Sequence, residues 1–279
     1  MTQTTSPPAD TARRSGRRST PSTARRRGVP DRWLGVGGVV LVAIGWEAVA
    51  RGGLLPGGYF PPLSEALARL CQLVLLPETW VALGQTTLTW ISGILIGTAL
   101  AVPLGFVAGT SVWIQRATRV VLEVFKPVPP VVFIPPMVLL LGTTQPMKIV
   151  LVSYAVFWPV LVQAIAGIEN IDPVARRTVT SFRVRPRDRV FFMILPAAWP
   201  FVMTGLRIAA SLALIATVVT ELVGGASGIG LDISLAQIAG RATDVYALIL
   251  ITGTLGLAIN QTFTRLERRT LRWNLGRNS

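Results

Sequence analysis

Apolar positions along this chain come in long blocks separated by short polar stretches. A membrane-crossing helix needs about 20 mostly apolar residues at about 1.5 Å rise each. Six blocks approach or exceed that length, at 33–50, 81–109, 118–141, 147–168, 191–223 and 244–264. Residues 1–31 are rich in Thr, Ser, Pro and Arg and carry almost no apolar side chains. Such a segment cannot bury enough surface to fold by itself. The pattern predicts an all-α integral membrane protein of about six transmembrane helices, preceded by a disordered basic tail.

The charges between the blocks orient them. Eight arginines precede the first block, from Arg13 to Arg32. Arg116 and Arg119 lie between the second and third, and Arg176, Arg177, Arg183, Arg185, Arg187 and Arg189 between the fourth and fifth. Arg265, Arg268, Arg269, Arg272 and Arg277 follow the sixth. The alternate loops hold only Arg51 and Arg69, then no basic residue at 142–146, then Arg241. Six alternating spans place every strongly basic segment on one face, which the positive-inside rule makes cytoplasmic, with both termini inside. The paired arginines also fit a twin-arginine export signal. The block behind them contains Glu47 and is followed by no small-residue cleavage site, so a retained first helix is expected.

Three features stand out inside the blocks. Gly93 with Gly97, and Gly105 with Gly109, share one helix face and let a neighbouring backbone approach closely. Packing within one subunit and a seam between two copies both remain open. The third block holds five prolines between Pro127 and Pro136, and proline removes an amide donor and clashes one turn back. Broken backbone at membrane depth is tolerated where protein covers it or where it lines a cavity. Pro129, Pro130, Pro135 and Pro136 are therefore candidates for a pathway wall or hinge. The alternative is an interfacial loop with a shorter span after it. Charges inside the blocks should pair or face water, which marks Arg207 and Glu221 as pathway candidates. They are about 21 Å apart along one helix and cannot pair with each other. Glu123 is a candidate partner for Arg207.

The arginine-rich loop has its own pattern. Asp172 followed by Pro173 is a helix start, with an acid to cap free amides and a proline at the first helical position. The helix is expected to run to about Arg183 and to end before Pro186, with Asp188 capping the next one. Ala175, Thr178, Val179 and Phe182 follow the spacing of one face, and Arg176, Arg177 and Arg183 lie away from its centre. A short amphipathic helix of this kind suits a groove in a partner protein. A basic loop that fixes topology and touches lipid headgroups is the other reading.

Composition agrees with a membrane protein: 51% of residues are hydrophobic and 14% charged, where soluble domains carry roughly 25% charged. The net charge of +14 lies at the two ends and in one loop, not in a patch interleaved with aromatics, so nucleic acid is not expected as a partner. With no histidine and one cysteine, His/Cys metal clusters, intrachain disulfides and a histidine-based triad are excluded. Cys71 is expected as a small packing residue. No G-x-x-x-x-G-K-[ST] motif surrounds Lys126 or Lys148. The run "GGASGIG" at 224–230 lacks the lysine and the preceding strand of a phosphate cradle and reads as a flexible turn after the fifth span. No cofactor is expected.

Several segments together resemble the inner-membrane permeases of ATP-binding-cassette (ABC) importers of the nitrate/sulfonate/taurine type. "ILPAAWPFVMTGLRIA", "KPVPPVVFIPPMVLLLG", "FWPVLVQAIAGIENIDP", "ELVGGASGIG" and "LERRTLRW" carry the resemblance, over about 33–273. It implies a type I ABC importer permease-like bundle, with a transmembrane permease domain at 32–273 and a short tail at 274–279. It implies an inner (plasma) membrane location and partnership with cytoplasmic ABC ATPase subunits, an extracytoplasmic solute-binding protein, a second permease copy as a homodimer, and membrane lipid. The solute implied is a small anion of the alkanesulfonate, taurine or nitrate class, and ATP hydrolysis falls to the partner. Asp172, Pro173, Ala175, Arg176, Arg177, Thr178, Val179, Phe182, Arg183 and Pro186 then form the ATPase-coupling loop. The family loop reads Glu-Ala-Ala, three residues, then Gly; here those places hold Arg177, Thr178, Val179 and Arg183. An ion-gradient-driven secondary transporter is the alternative; it would need internal repeats and paired ionisable residues at mid-depth. A membrane-bound enzyme would need a nucleophile or an acid/base pair at an interface.

Overall fold

The computed structural model describes residues 31–53 and 58–270. Apart from Asp31, the expected tails at 1–31 and 274–279 lie outside the described residues. Among the described residues, every regular element is helical.

The chain divides into two units, residues 1–45 and 46–279. The described part of the first is the apolar leading stretch of α1 (Asp31–Arg51), which covers the first expected span. The second unit carries the end of α1, then α2 (Leu63–Val74), α3 (Pro77–Thr110), α4 (Val112–Phe125), α5 (Ile134–Leu141) and α6 (Gln145–Glu169). It continues with α7 (Pro173–Ser181), α8 (Pro186–Arg189), α9 (Leu195–Gly224), α10 (Ile229–Ile238) and α11 (Ala242–Thr270). A π turn at Val190–Ile194 joins α8 to α9 in one run of 39 residues.

Four helices among the described residues are long and apolar enough to cross a membrane: Pro77–Thr110, Gln145–Glu169, Pro186–Gly224 and Ala242–Arg265. They fall on the second, fourth, fifth and sixth expected spans. The third expected span is a bent pair, Trp113–Phe125 and Pro130–Leu141, at 78°. Pro129 precedes a 3-10 turn at Pro130–Phe133, while Pro135 and Pro136 stand in the first turn of α5, where a missing amide costs no helical hydrogen bond. At the break, Val128 N–H and the Tyr154 hydroxyl both donate to the Phe125 carbonyl, at 3.1 and 3.0 Å. The orphan acceptor at the end of α4 is thus satisfied without continuing the helix.

The centre of the bundle is α3, α6 and α9, packed through Ala101, Ala108, Val152, Val156, Ala209 and Ala213. Four of the five glycines of α3, Gly93, Gly97, Gly105 and Gly109, face α6. A Cβ on Gly93 would fall 2.4 Å from a Val152 methyl, on Gly97 2.7 Å from the Ser153 carbonyl, on Gly105 2.5 Å from Ala164 Cβ, and on Gly109 2.9 Å from Ile168 Cβ. These glycines serve packing within one subunit, not a seam between copies.

Two helices were not foreseen. The amphipathic α2 packs Leu70 and Leu73 against Ala247, Leu248 and Ile251 of α11, and Arg69 meets Asp244 at 2.5 Å. Its Cys71 is exposed rather than packed. The apolar α10 follows the glycine-rich loop and buries Ile229, Ile233 and Ala236.

Candidate functional site

Two places gather the residues that sequence marks for function: the loop at 172–190 and the break at 126–131.

In the loop, Asp172 caps α7 by accepting the Val174 N–H at 2.8 Å, and Pro173 is its first residue. The helix ends at Ser181 with Phe182 as its cap. Arg183 follows at φ +48°, in the left-handed region. Its N–H donates to the Thr180 carbonyl, and the Val184 N–H reaches back to Val179. This is a Schellman ending, whose left-handed position glycine usually fills. Arg185 is extended, as a residue before proline should be. Pro186 opens α8, and Asp188 lies in its first turn without acting as the cap.

The faces of α7 differ from the expected assignment. Ala175, Arg176 and Val179 are half-buried, while Thr178 and Phe182 are exposed. The outward face is Val174, Arg177, Thr178 and Phe182, with Val174 67% and Phe182 78% exposed. The rotation is fixed by Arg176, whose Nη2 donates to the Ile168 carbonyl at the end of α6, at 2.8 Å. Beneath the loop lies a cavity of about 280 Å³, walled in part by Thr110, Ile168, Arg176, Pro186, Arg189 and Val190.

At the break, a cavity of about 550 Å³ opens between residues 126–131, α6 and α9. Pro129 and Pro130 line it, and Pro135 and Pro136 do not. Most of the wall is apolar, including Val128, Val162, Leu212 and Ile215. Its polar members are Lys126, Tyr154, Trp158, Gln163 and Thr220, and no Asp or Glu is among them. The Trp158 ring stacks on Phe125 at 5.9 Å and meets Tyr154 edge-on at 5.7 Å. Its Nε1 is buried with no hydrogen-bond partner among the described residues.

The two charged pathway candidates lie elsewhere. Arg207 pairs with Glu267 of α11 at 3.1 Å, not with Glu123. Glu221 is fully buried and pairs with Lys148 of α6 at 3.2 Å. Its other oxygen accepts from Thr86 Oγ1 at 2.9 Å and from the Gly230 amide at 3.1 Å. Lys148 also donates to the Ser227 carbonyl at 2.5 Å, and the Ile229 N–H donates to Thr86 Oγ1 at 3.0 Å. The glycine-rich loop therefore folds around a carboxylate of its own chain. Gly228, at φ +147°, would place a Cβ 2.1 Å from Glu221 Oε1, so no other residue fits there.

Sequence reasoning missed Lys148, Thr86, Trp158 and Gln163. A signal existed for the first. Lys148 begins one span and Glu221 ends the next, so antiparallel helices bring them to the same end.

The sequence profile of the family described as "Binding-protein-dependent transport system inner membrane component" matches residues 101–272. The taurine transport system permease protein TauC of Escherichia coli is 27% identical over 249 residues, covering 86% of this chain and 90% of that protein. The putative aliphatic sulfonates transport permease SsuC of Bacillus subtilis is 27% identical, covering 84% of each chain. The nitrate import permease NrtB of Leptolyngbya laminosa is 29% identical, covering 60% of each. Among solved structures, the MetNI methionine ABC transporter in inward-facing conformations superposes with a TM-score of 0.62, covering 70% of this chain and 97% of that one. At 15% identity this is a likeness of fold.

Proposed function

The chain belongs to the family of binding-protein-dependent transport system inner membrane components and is the permease subunit of an ABC importer; from that premise we propose that it passes a small anion delivered by a solute-binding protein, driven by ATPase subunits docked on α7. The fold is the all-α bundle of a type I ABC importer permease. The family sets it among binding-protein-dependent systems, which removes the ion-gradient alternative.

The exposed face of α7 carries the docking half of the proposal. Phe182 stands 78% exposed at the end of a capped helix, beside Val174 and Thr178. An apolar anchor left in water on a short polar helix is suited to a partner's groove. Because α8 and the π turn continue into α9 without a loop, a pull on α7 passes into the fifth span. Closure of two ATPases then tilts two such bundles and opens the route to the binding protein, an equilibrium biased by ligands on both faces.

The cavity at the break supports an anionic solute. Its wall offers the Lys126 ammonium, the Gln163 amide and an indole N–H, with no carboxylate to repel an anion. The taurine, sulfonate and nitrate relatives set the solute class proposed for this chain. In this reading both termini and the 172–190 loop face the cytoplasm, the basic segments supporting that orientation, and a second copy of the chain completes the pathway.

Phe182→Ala tests the docking half. ATPase co-purification and ATP-dependent uptake should both fall, while membrane insertion and yield stay normal. Unchanged uptake with a normally retained ATPase would remove α7 as the docking element.

A further inference from the structure

Two arginines line the cavity beneath the loop, and no Asp or Glu does; one Arg176 nitrogen already donates to the Ile168 carbonyl. Arg176 comes from α7 and Arg189 from the last residue of α8. The remaining wall is Thr110, Pro186 and aliphatic or Met side chains, with no Asp or Glu. Arg189 Nε is buried and has no hydrogen-bond partner among the described residues. The acids nearest in sequence are engaged or placed outside this wall: Asp172 caps α7, Glu169 accepts from Gln115, and Asp188 is not in the lining. A buried guanidinium donor without an acceptor is costly. Two half-buried cations lining one partly open cavity favour an anion more strongly than either alone.

Position says which anion. Thr110 ends α3, Ile168 is near the end of α6, and Val190 to Ile194 begin the fifth span. The cavity therefore lies at the end of the bundle where three membrane-length helices terminate together. Beside it Val190, Phe191 and Phe192 are exposed, Phe192 by 82%, and present an apolar strip continuous with the span. Guanidinium forks match phosphate oxygens in geometry and charge. A headgroup phosphate in the cavity with acyl chains along the strip satisfies both parts at once.

We propose that Arg176 and Arg189 form a binding site for the phosphate of an anionic phospholipid, joining α7 to the start of the fifth span. The bound lipid closes the gap between the coupling helix and the helix it moves. The site is independent of the solute and of the ATPase, because α7 presents the opposite face, Val174, Thr178 and Phe182, outward.

The test uses the purified full-length permease in nanodiscs of phosphatidylcholine alone or with phosphatidylglycerol, read by thermal unfolding and by lipid retention in native mass spectrometry. Phosphatidylglycerol should raise the unfolding temperature and remain bound. Arg189→Gln and Arg176→Gln should each weaken retention by roughly tenfold, about one charge-assisted contact. Arg187→Gln removes the same charge from the same loop outside the cavity and should retain lipid like the parent chain. Arg189→Lys keeps the charge and covers the case in which the glutamine variant does not fold; it should retain more lipid than Arg176→Gln. Equal losses in Arg187→Gln and Arg189→Gln would show diffuse attraction and overturn the site. So would equal stability in the two lipids. Inorganic phosphate matching the full effect of phosphatidylglycerol in phosphatidylcholine nanodiscs would overturn the lipid assignment.

Discussion

Lys148 and Glu221 meet at 3.2 Å with both side chains fully buried, one at the start of α6 and the other near the end of α9. Each also holds the 227–230 loop, Lys148 through the Ser227 carbonyl and Glu221 through the Gly230 amide. Charges at membrane depth are retained when paired. Removing one partner leaves the other uncompensated, at about 3–5 kcal/mol. Lys148→Met and Glu221→Gln should each destabilise by that order. The double variant should be clearly more stable than the sum of the two losses. Unfolding titrations in detergent check this, and strict additivity would mean that the pair is not coupled.

Gly105 and Ala164 form the α3–α6 approach in which the partner is itself a single methyl, with the missing Cβ 2.5 Å from Ala164 Cβ. Gly105→Ala should cost about 1–3 kcal/mol by overpacking, against the small gain that alanine normally brings to a helix. Ala164→Gly should restore part of that loss, although on its own it weakens α6. If Gly105→Ala proves neutral or stabilising in thermal unfolding, the close approach is absent.

How far these features were legible in the sequence depends on what fixes each one. The bilayer's thickness fixes span length, so hydropathy found the long helices to within a few residues. Backbone chemistry fixes the ends of α7, so Asp172, Pro173 and Pro186 were readable as punctuation. The face of α7 was not. Ala175, Thr178, Val179 and Phe182 share a spacing, yet the helix is turned by Arg176 reaching the Ile168 carbonyl, a contact no local pattern encodes. The turn expected at 224–230 hides α10, because a mostly apolar stretch of ten residues after a run of glycines is too short to span and too regular to be loop. The Lys148–Glu221 pair needed depth counted from both ends of antiparallel helices. The Trp158 and Gln163 wall depends on where the proline break bends, and composition does not specify that.

Arg183 sits where glycine is the natural residue. Its φ of +48° closes the Schellman ending of α7, and an L-residue pays about 1–2 kcal/mol for that conformation. Arg183→Gly should therefore stabilise the loop by about 1 kcal/mol, offset in part by glycine's greater freedom in the unfolded chain. Hydrogen exchange at the amides of Arg183 and Val184 should slow by several-fold. Faster exchange in the glycine variant would mean that the arginine side chain, not the backbone ending, holds the loop.

Asp232 offers a pH test outside the membrane-crossing helices. It lies in the first turn of α10 beside the Ser227–Gly228 loop, and burial pushes its carboxyl up from its ordinary value. A raised value means that the folded chain binds this proton more tightly than the unfolded one. The contribution to stability is complete below the unfolded value, at about pH 3.9, and is lost as pH rises through the folded one. At neutral pH the group is a half-buried charge that burial disfavours. Asp232→Asn should raise the neutral-pH unfolding temperature and flatten its decline across that acidic window, while the parent chain gains stability on mild acidification. A variant that is less stable at pH 7 and keeps the same pH slope would show that the Asp232 carboxylate has a partner that favours its charge.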